Sequence, residues 1–404
     1  IEGIISYRPV EVSRLKRNRE VATEPPLPEE VASSDELFFI AEHLEQYRHP
    51  TRSPELYWRE ALRRDPLDAR VRMAMGRHEL NRGCFEEAGE HLEQAVRRLT
   101  SRHPNPCTGE AHYTLGVVRR FQNRFSEAEE ALQKACWNGE WRSASHMELA
   151  FLAARQDRTA EACQHCDAAL ETNAALNKAK VLKALMRKKE GQTYMGILED
   201  LLAVDPLDHW ARIVSGDVEV FLRQSRNDAQ TLLDLVYEFA DAGLKQEAVD
   251  LLELHHAHPT AEVAVPNPLQ RSPLTHYALA WLKEDTDLLA RATAMSPDYL
   301  FPSRLHDQVM LEWAVNQQGE DVNAAYGLGN FYYDKKRHEE AIDQWESVTP
   351  FPTLFRNLGI AYWNVRQDGE AARAAYQKAL ELDPSDARIF AEYDQLREKL
   401  GDES

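Results

Sequence analysis

Residues 75–95 read MGRHELNRGCFEEAGEHLEQA, and the spacing of their small residues decides the fold. Gly76 is followed at fixed intervals by Gly83, Ala88, Leu92 and Ala95. The same spacing recurs at Leu115, Gly116, Asn123, Ala128, Leu132 and Ala135, and again at Leu149, Ala150, Asp157, Ala162, Cys166 and Ala169. The step from Gly116 to Ala150 is 34 residues, and so is the step from Ala150 to Ala184. A period of that length predicts supersecondary units in a row, each of two antiparallel helices whose axes approach closely where the residues are small.

Farther along, Gly329, Tyr332 and Ala341 form one match, and Gly359, Tyr362, Ala372, Tyr376, Ala379 and Pro384 form another. The interval from Ala61 to Pro66 repeats the interval from Ala379 to Pro384 and marks the end of an earlier unit. Small residues at the eighth, twentieth and twenty-seventh positions of this period are the tetratricopeptide repeat pattern. The expected fold is therefore all-α: a tetratricopeptide α-solenoid, a right-handed superhelix of antiparallel helix pairs, with a short extended segment at its N-terminal end. Departures from the pattern set the boundaries. Gly196 stands where the fourth unit should carry alanine, and Asp205-Pro206 arrives early. Between Leu207 and Arg304 only Ala248, after Gly243, keeps the spacing, and 263–269 (VAVPNPL) reads as a turn-rich loop. The step from Gly76 to Gly116 is 40, which places an insertion at 100–107.

The opening stretch, Gly3 to Pro9, is β-branched and closed by proline, so it reads as an end strand without a partner. Residues 24–30 (EPPLPEE) read as a stiff, acidic connector. Ser34 reads as a helix N-cap before a helical run of Leu37, Phe38, Ile40, Ala41, Leu44 and Tyr47. The expected organisation is 1–33 strand and linker, 34–206 an N-terminal array, 207–310 an irregular helical middle, and 311–404 C-terminal units with a capping helix. The chain begins at Ile1 with no signal-like segment, which suggests a piece of a longer protein.

The 404 residues are 43% hydrophobic and carry a net charge of −19, which argues against disorder, membrane spans and nucleic-acid backbones. Five cysteines fit a reducing, cytoplasmic compartment. The charge is uneven: −4 over 1–50, +2 over 51–200 and −17 over 201–404. Chemical motifs are few. Cys163 and Cys166 have ligand-like spacing but fall on a second helix without two further ligands, so they read as buried small side chains, and no metal is expected. His255, His256 and His258 read as a surface helix end. No phosphate loop, H-E-x-x-H or nucleophile elbow is present, and 326–330 (YGLGN) lies inside a repeat helix. Trp137 and Trp141 stand at the end-of-helix position and read as wedges closing an irregular turn, while the loop at 104–106 reads as a rigid spacer. No catalytic residue and no cofactor is expected.

Several segments, LEQYRH at 44–49, RDPLD at 64–68, LTSRHPNP at 99–106, CWNGEW at 136–141 and RNLG at 356–359, resemble the tetratricopeptide-rich C-terminal half of large bacterial proteins. The resemblance implies an N-terminal β-supersandwich domain of unknown function, similar to carbohydrate-active domains, of which residues 4–7 (IISY) would be the closing strand. In repeats of this kind, set positions of the first helix face the concave groove. Laid on this register they are Arg70, Met73, Arg77, Asn81, Tyr113, Arg120, Phe121, Met147, Phe151, Arg155, Lys178, Lys188 and Lys189 in the N-terminal array, a basic and aromatic wall. The C-terminal units supply Asn323, Tyr326, Asn330, Tyr333, Arg356, Trp363 and Asn364, an aromatic and amide surface. Arginines on successive units suit a carboxylate or a phosphate, whereas asparagine, tyrosine and tryptophan suit a peptide backbone or a sugar face. The expected function is a non-catalytic scaffold that binds a protein or peptide segment, an acidic one on the N-terminal array, or that positions a neighbouring domain. The alternative is an accessory region of a carbohydrate-active enzyme whose active site lies in an absent domain. No nucleic acid or membrane partner is expected.

Overall fold

The computed structural model describes residues 7, 9, 23–49, 51–258, 272–297, 299–318, 321–348 and 351–402, which divide into two compact units, Ile1–Val71 and Arg72–Ser404. Among the described residues the regular elements are helices, with no strand. The fold is all-α, a tetratricopeptide-like helical solenoid. The expected strand at 3–9 lies outside the described residues apart from Tyr7 and Pro9, and so does the loop at 263–269.

In the first unit, α1 (Ser34–Gln46) and α2 (Pro54–Arg64) pack through Leu37, Ala41, Leu44, Tyr57, Trp58 and Ala61, all at most 1% exposed. The cap of α1 is Ser33 rather than Ser34. Ser33 is extended (φ −130°, ψ 156°), so its hydroxyl reaches the Glu36 amide, while Ser34 already lies in the helix. The proline-rich stretch packs against α2: Tyr57 Oη donates to Pro26 O at 2.8 Å, and Arg64 donates to Val31 O at 2.8 Å and to Pro28 O at 3.2 Å. Glu60, forked by Arg63 and Arg64, has its carboxyl pulled down to about 2 by those hydrogen bonds.

The second unit is a succession of helices. Its first pairs are α3 (Ala69–Asn81, of which it holds the residues from Arg72 on) with α4 (Phe85–Leu99), α5 (Glu110–Phe121) with α6 (Phe125–Ala135), α7 (Gly139–Arg155) with α8 (Thr159–Thr172), and α9 (Asn177–Lys189) with α10 (Met195–Val204). Shorter and less regular helices follow: α11 (His209–Ser215), α12 (Val218–Ser225), α13 (Ala229–Asp241), α14 (Lys245–Ala257), α15 (Pro273–Lys283), α16 (Thr286–Thr293) and α17 (Leu305–Gln318). The last are α18 (Val322–Asp334) with α19 (His338–Glu346), α20 (Pro352–Ala361) with α21 (Gly369–Leu382), and α22 (Ala387–Leu400).

The small residues of the repeat sit where the spacing puts them. Ala88, Ala128, Ala162, Ala341 and Ala372 are all 0% exposed. A Cβ at Gly76 would lie 2.5 Å from Leu92 Cγ, and one at Gly116 would lie 2.6 Å from Leu132 Cγ. In these two units the first-helix glycine and the second-helix leucine are therefore a matched pair. The position filled by Gly83, Asn123 and Asp157 has a backbone reason. Each ends its first helix in the left-handed region (φ 76°, 58° and 58°), so the next amide bonds back to the carbonyl five residues earlier: Cys84 N to Glu79 O, Arg124 N to Arg119 O and Arg158 N to Ala153 O, at 2.8–2.9 Å. Gly243 and Lys336 do the same at 73° and 59°.

Two local expectations change. Trp137 is 74% exposed and wedges nothing, whereas Trp141 is half-buried and stacks on Tyr113 with centroids 4.9 Å apart. His255 is 4% exposed, facing the Asn227 amide oxygen at 2.7 Å, and His256 stacks on His276 at 4.0 Å, because α15 packs against α14. His258 serves a last-turn carbonyl, that of Leu254. Cys166 is fully buried with its thiol pushed well up by burial, and burial likewise pushes Cys84 and Cys136 up to about 11.

Candidate ligand groove

The first helix of each pair carries the residues expected to face a groove, and in the N-terminal repeats those residues meet the chain's own middle. Arg120 projects from the last turn of α5. Its Nε lies 3.1 Å from Glu148 Oε2 and its Nη1 lies 2.5 Å from Asp241 Oδ1, at the C-terminal end of α13. Arg155, at the end of α7, donates from Nη1 to Ala240 O at 2.9 Å and lies over Phe125. Phe121 stacks on Phe85 at 5.0 Å and meets His306, at the start of α17, edge-on at 5.2 Å. Only about 70 Å³ of open space remains where Arg120, Phe121, Arg155, Asp241, Trp281 and His306 converge.

Electrostatics fixes this arrangement. Burial pushes the Asp241 carboxyl up, but Arg120 beside it and the His306 hydrogen bond outweigh burial and hold it below the usual carboxylate range. Asp241 is the shared anion of Arg120 and His306. One turn earlier, Glu238 pairs with Lys178 of α9, and burial raises its carboxyl. Behind them the buried Tyr237 donates to Asp307 Oδ1 at 2.6 Å, and Asp307 Oδ2 accepts from the Ser303 and Arg304 amides at 2.8 and 2.9 Å. Arg304 in turn binds Asp234 and Gln230. These groups border a cavity of about 460 Å³ lined by Lys178, Trp210, Asp234, Glu238, Arg304 and His306 among others.

The remaining N-terminal candidates spread out. Arg77 pairs with Glu110 at 2.7 Å, Asn81 and Lys188 are exposed, and Phe151 is 5% exposed against Trp210, a core residue rather than a surface one. Tyr113 is stacked on Trp141, with its hydroxyl raised to about 12 by burial and by Glu148.

The C-terminal candidates come together differently. Tyr326 is 7% exposed and edge-on to Phe351, Asn323 donates to Thr293 O and Met295 O, and Tyr333 packs on His338 and Trp345. Asn330 accepts from the Asn357 side-chain amide at 3.3 Å, an amide pair contributed by α18 and α20. Asn357 lies in α20, and Asn364 follows it seven residues later, beyond the helix end at Ala361. Between Ala361 and Gly369 the chain adds a π-helical turn, Tyr362–Arg366, which carries Trp363 and Asn364. These two line a cavity of about 180 Å³ with Ile360, Tyr376, Glu392 and Lys399. Glu392 is held by a forked pair of bonds from Arg356 at 2.6 and 2.7 Å, and Lys399 Nζ lies 6.0 Å from the Trp363 ring centre.

Sequence reasoning missed Asp241, His306, Asn357 and Glu392. The first two lie in the stretch where the repeat spacing is lost. Asn357 sits one position beside the expected Arg356, and Glu392 belongs to the capping helix.

Family models of the tetratricopeptide repeat match residues 67–136, 310–353 and 357–386. Among solved structures, the chain is similar to YrrB, a TPR protein with an unusual peptide-binding site, at 18% identity over 44% of this chain and 90% of that one, with a TM-score of 0.38. It is also similar to a tetratricopeptide repeat protein from Parabacteroides merdae, at 14% identity over 81% and 98% (TM-score 0.28), and to pilF of Pseudomonas aeruginosa, at 19% over 56% and 88% (TM-score 0.33). Among the described residues no helix is long and apolar enough to cross a membrane.

Proposed function

Because this chain carries tetratricopeptide repeats, we propose that it is a non-catalytic interaction scaffold that holds an extended protein segment on its C-terminal repeats, along Asn330, Asn357, Trp363 and Asn364. The observation that carries this reading is the Asn330–Asn357 amide pair, linked through Arg356 to Glu392, which walls a cavity with Trp363 and Lys399. A side-chain amide both donates and accepts, so each can exchange the bond to its neighbour for a peptide N–H or C=O. Trp363 offers an aromatic wall for a side chain, and Glu392 and Lys399 offer both signs of charge. The π-helical turn that presents Trp363 and Asn364 supports the same reading, since such turns recur at functional sites. The N-terminal arginines favour it indirectly, because the chain's own groups already engage Arg77, Arg120 and Arg155.

Panning a random-peptide display library on the full chain tests it. Enriched peptides should lose at least tenfold in affinity, about 1.4 kcal/mol, with Trp363→Ala or with Asn357→Ala combined with Asn364→Ala. They should be indifferent to Arg77→Ala. Enrichment blind to all the C-terminal changes would move the site to another surface, and enrichment on a glycan array in place of peptides would favour the carbohydrate reading of the same aromatic and amide surface.

A further inference from the structure

The basic wall of the N-terminal repeats is covered by contacts between residues 60 or more positions apart, and those contacts form two layers. The inner layer is the last turn of α13, whose Asp241 carboxylate binds Arg120, whose Ala240 carbonyl binds Arg155, and whose Glu238 binds Lys178. It presents to the wall the chemistry of an acidic helix end, carboxylates together with the Ala240 carbonyl, which accepts from Arg155 as well as from the Gly243 amide, at the negative pole of the helix. The outer layer is a reciprocal clasp between two equivalent turns. Arg82, in the turn between α3 and α4, donates from Nε to Lys335 O at 3.2 Å, and Arg337, in the turn between α18 and α19, donates from Nη1 to Arg82 O at 3.3 Å and to Gly83 O at 3.5 Å. Gln308 of α17 adds a bond to Gly83 O at 3.0 Å. A Cβ at Gly83 would lie 1.7 Å from Gln308 Oε1, so a side chain there would have to displace the end of Gln308. Leu305 packs between the layers against the cluster of Leu80, Leu92 and Val118.

We propose that the wall formed by Arg120, Phe121, Phe125 and Arg155 is a second docking surface, that its partner is an acidic segment ending a helix, and that the resting chain masks it with its own α13 under the clasp between residues 82–83 and 335–337. Charge complementarity identifies the occupant, since the group already seated on Arg120 is a carboxylate and the one on Arg155 is a helix-terminal carbonyl. The clasp is made of side-chain bonds to turn carbonyls, an assembly that can open below global unfolding. The surface is distinct from the C-terminal face, and the two stand or fall separately.

The test uses the full chain, with Arg82→Ala and Arg337→Ala combined, and as probe a fluorescein-labelled peptide of residues 229–241 (AQTLLDLVYEFAD). Fluorescence anisotropy should show the double variant binding the peptide at least tenfold more tightly than the unaltered chain. A peptide whose last residue is changed from Asp to Asn should bind the variant at least tenfold more weakly, and Trp363→Ala should leave both affinities unchanged. Hydrogen exchange should quicken in the variant at 119–125 and 239–243 while α8 and α21 keep their protection. Should the double variant fail to fold, Arg337→Lys, which keeps a cation over Tyr332 and loses the fork, should give the same changes in weaker form. Equal peptide affinity in closed and opened chains would overturn the masking, and quicker exchange without peptide binding would overturn the docking surface.

Discussion

Replacing Gly116 by alanine probes the close packing on which the whole repeat depends. The new Cβ would lie 2.6 Å from Leu132 Cγ, 2.8 Å from Leu132 Cδ2 and 3.3 Å from Ala128 O. Carbon atoms in contact prefer about 3.5–4.0 Å, so the overlap with Leu132 is about 1 Å. Leu132 is 0% exposed and has nowhere to swing, so the pair α5 and α6 must separate. Overpacking of this kind costs about 1–3 kcal/mol, while exchanging glycine for alanine inside a helix returns up to about 1 kcal/mol. The expected net loss is therefore about 1 kcal/mol, a roughly fivefold faster exchange of the amides of α5 and α6. Native-state hydrogen exchange is the suitable assay, because repeats open locally and a single melting transition would average them. Leu132→Ala alone should cost about 2–5 kcal/mol by leaving a cavity. When Gly116→Ala is combined with Leu132→Ala, the methyl introduced by the first change occupies part of the space left by the second, so the combined loss should fall short of the sum by at least about 0.5 kcal/mol. Gly139, whose Cβ would meet nothing within 4 Å, is the control, and Gly139→Ala should stay within about 0.5 kcal/mol of the unaltered chain. Undiminished protection in Gly116→Ala, or strict additivity with Leu132→Ala, would refute the argument.

Ala128→Leu, at a fully buried position of the same unit, should lower stability by about 1–3 kcal/mol, read as loss of exchange protection in α5 and α6. Gly243→Ala should destabilise the turn between α13 and α14, since φ is +73° and the Cβ would lie 2.6 Å from Arg155 Cα, whereas Lys336→Gly, at φ 59°, should be neutral or stabilise by up to about 1 kcal/mol in urea titration. Burial, and then the neighbouring His276 and His255, depress His256 to about 3, so its neutral form belongs to the folded state. Between its unfolded value near 6.5 and about 3, the unfolded chain binds the extra proton, and stability should fall on acidification by up to about 1.4 kcal/mol per pH unit. His256→Gln should flatten that part of the pH profile of urea midpoints, and an unchanged slope would assign the acid sensitivity to other groups.

The repeat was legible in the sequence because its determinants are local. A glycine facing a leucine sixteen residues later, and a left-handed residue seven after it, are fixed by the geometry of one helix pair. They need no knowledge of distant neighbours. Gly76 with Leu92, Gly116 with Leu132, and the turns at Gly83, Asn123 and Asp157 are all of this kind. The expectation of groove residues such as Arg120, Arg155, Asn330 and Trp363 was likewise laid on that register. What engages them was not legible. The anion on Arg120 comes from Asp241, 121 residues away, and Arg337 reaches Gly83 across 254. A solenoid's curvature sums small rotations at every interface between helices, and in the stretch after Leu207, where short helices replace the regular period, no residue pattern reports those rotations. The sequence by itself therefore determined the unit and the side chains it displays. Only the tertiary structure decided which of those side chains the chain keeps for itself, because closure depends on angles accumulated over many interfaces rather than on any one of them.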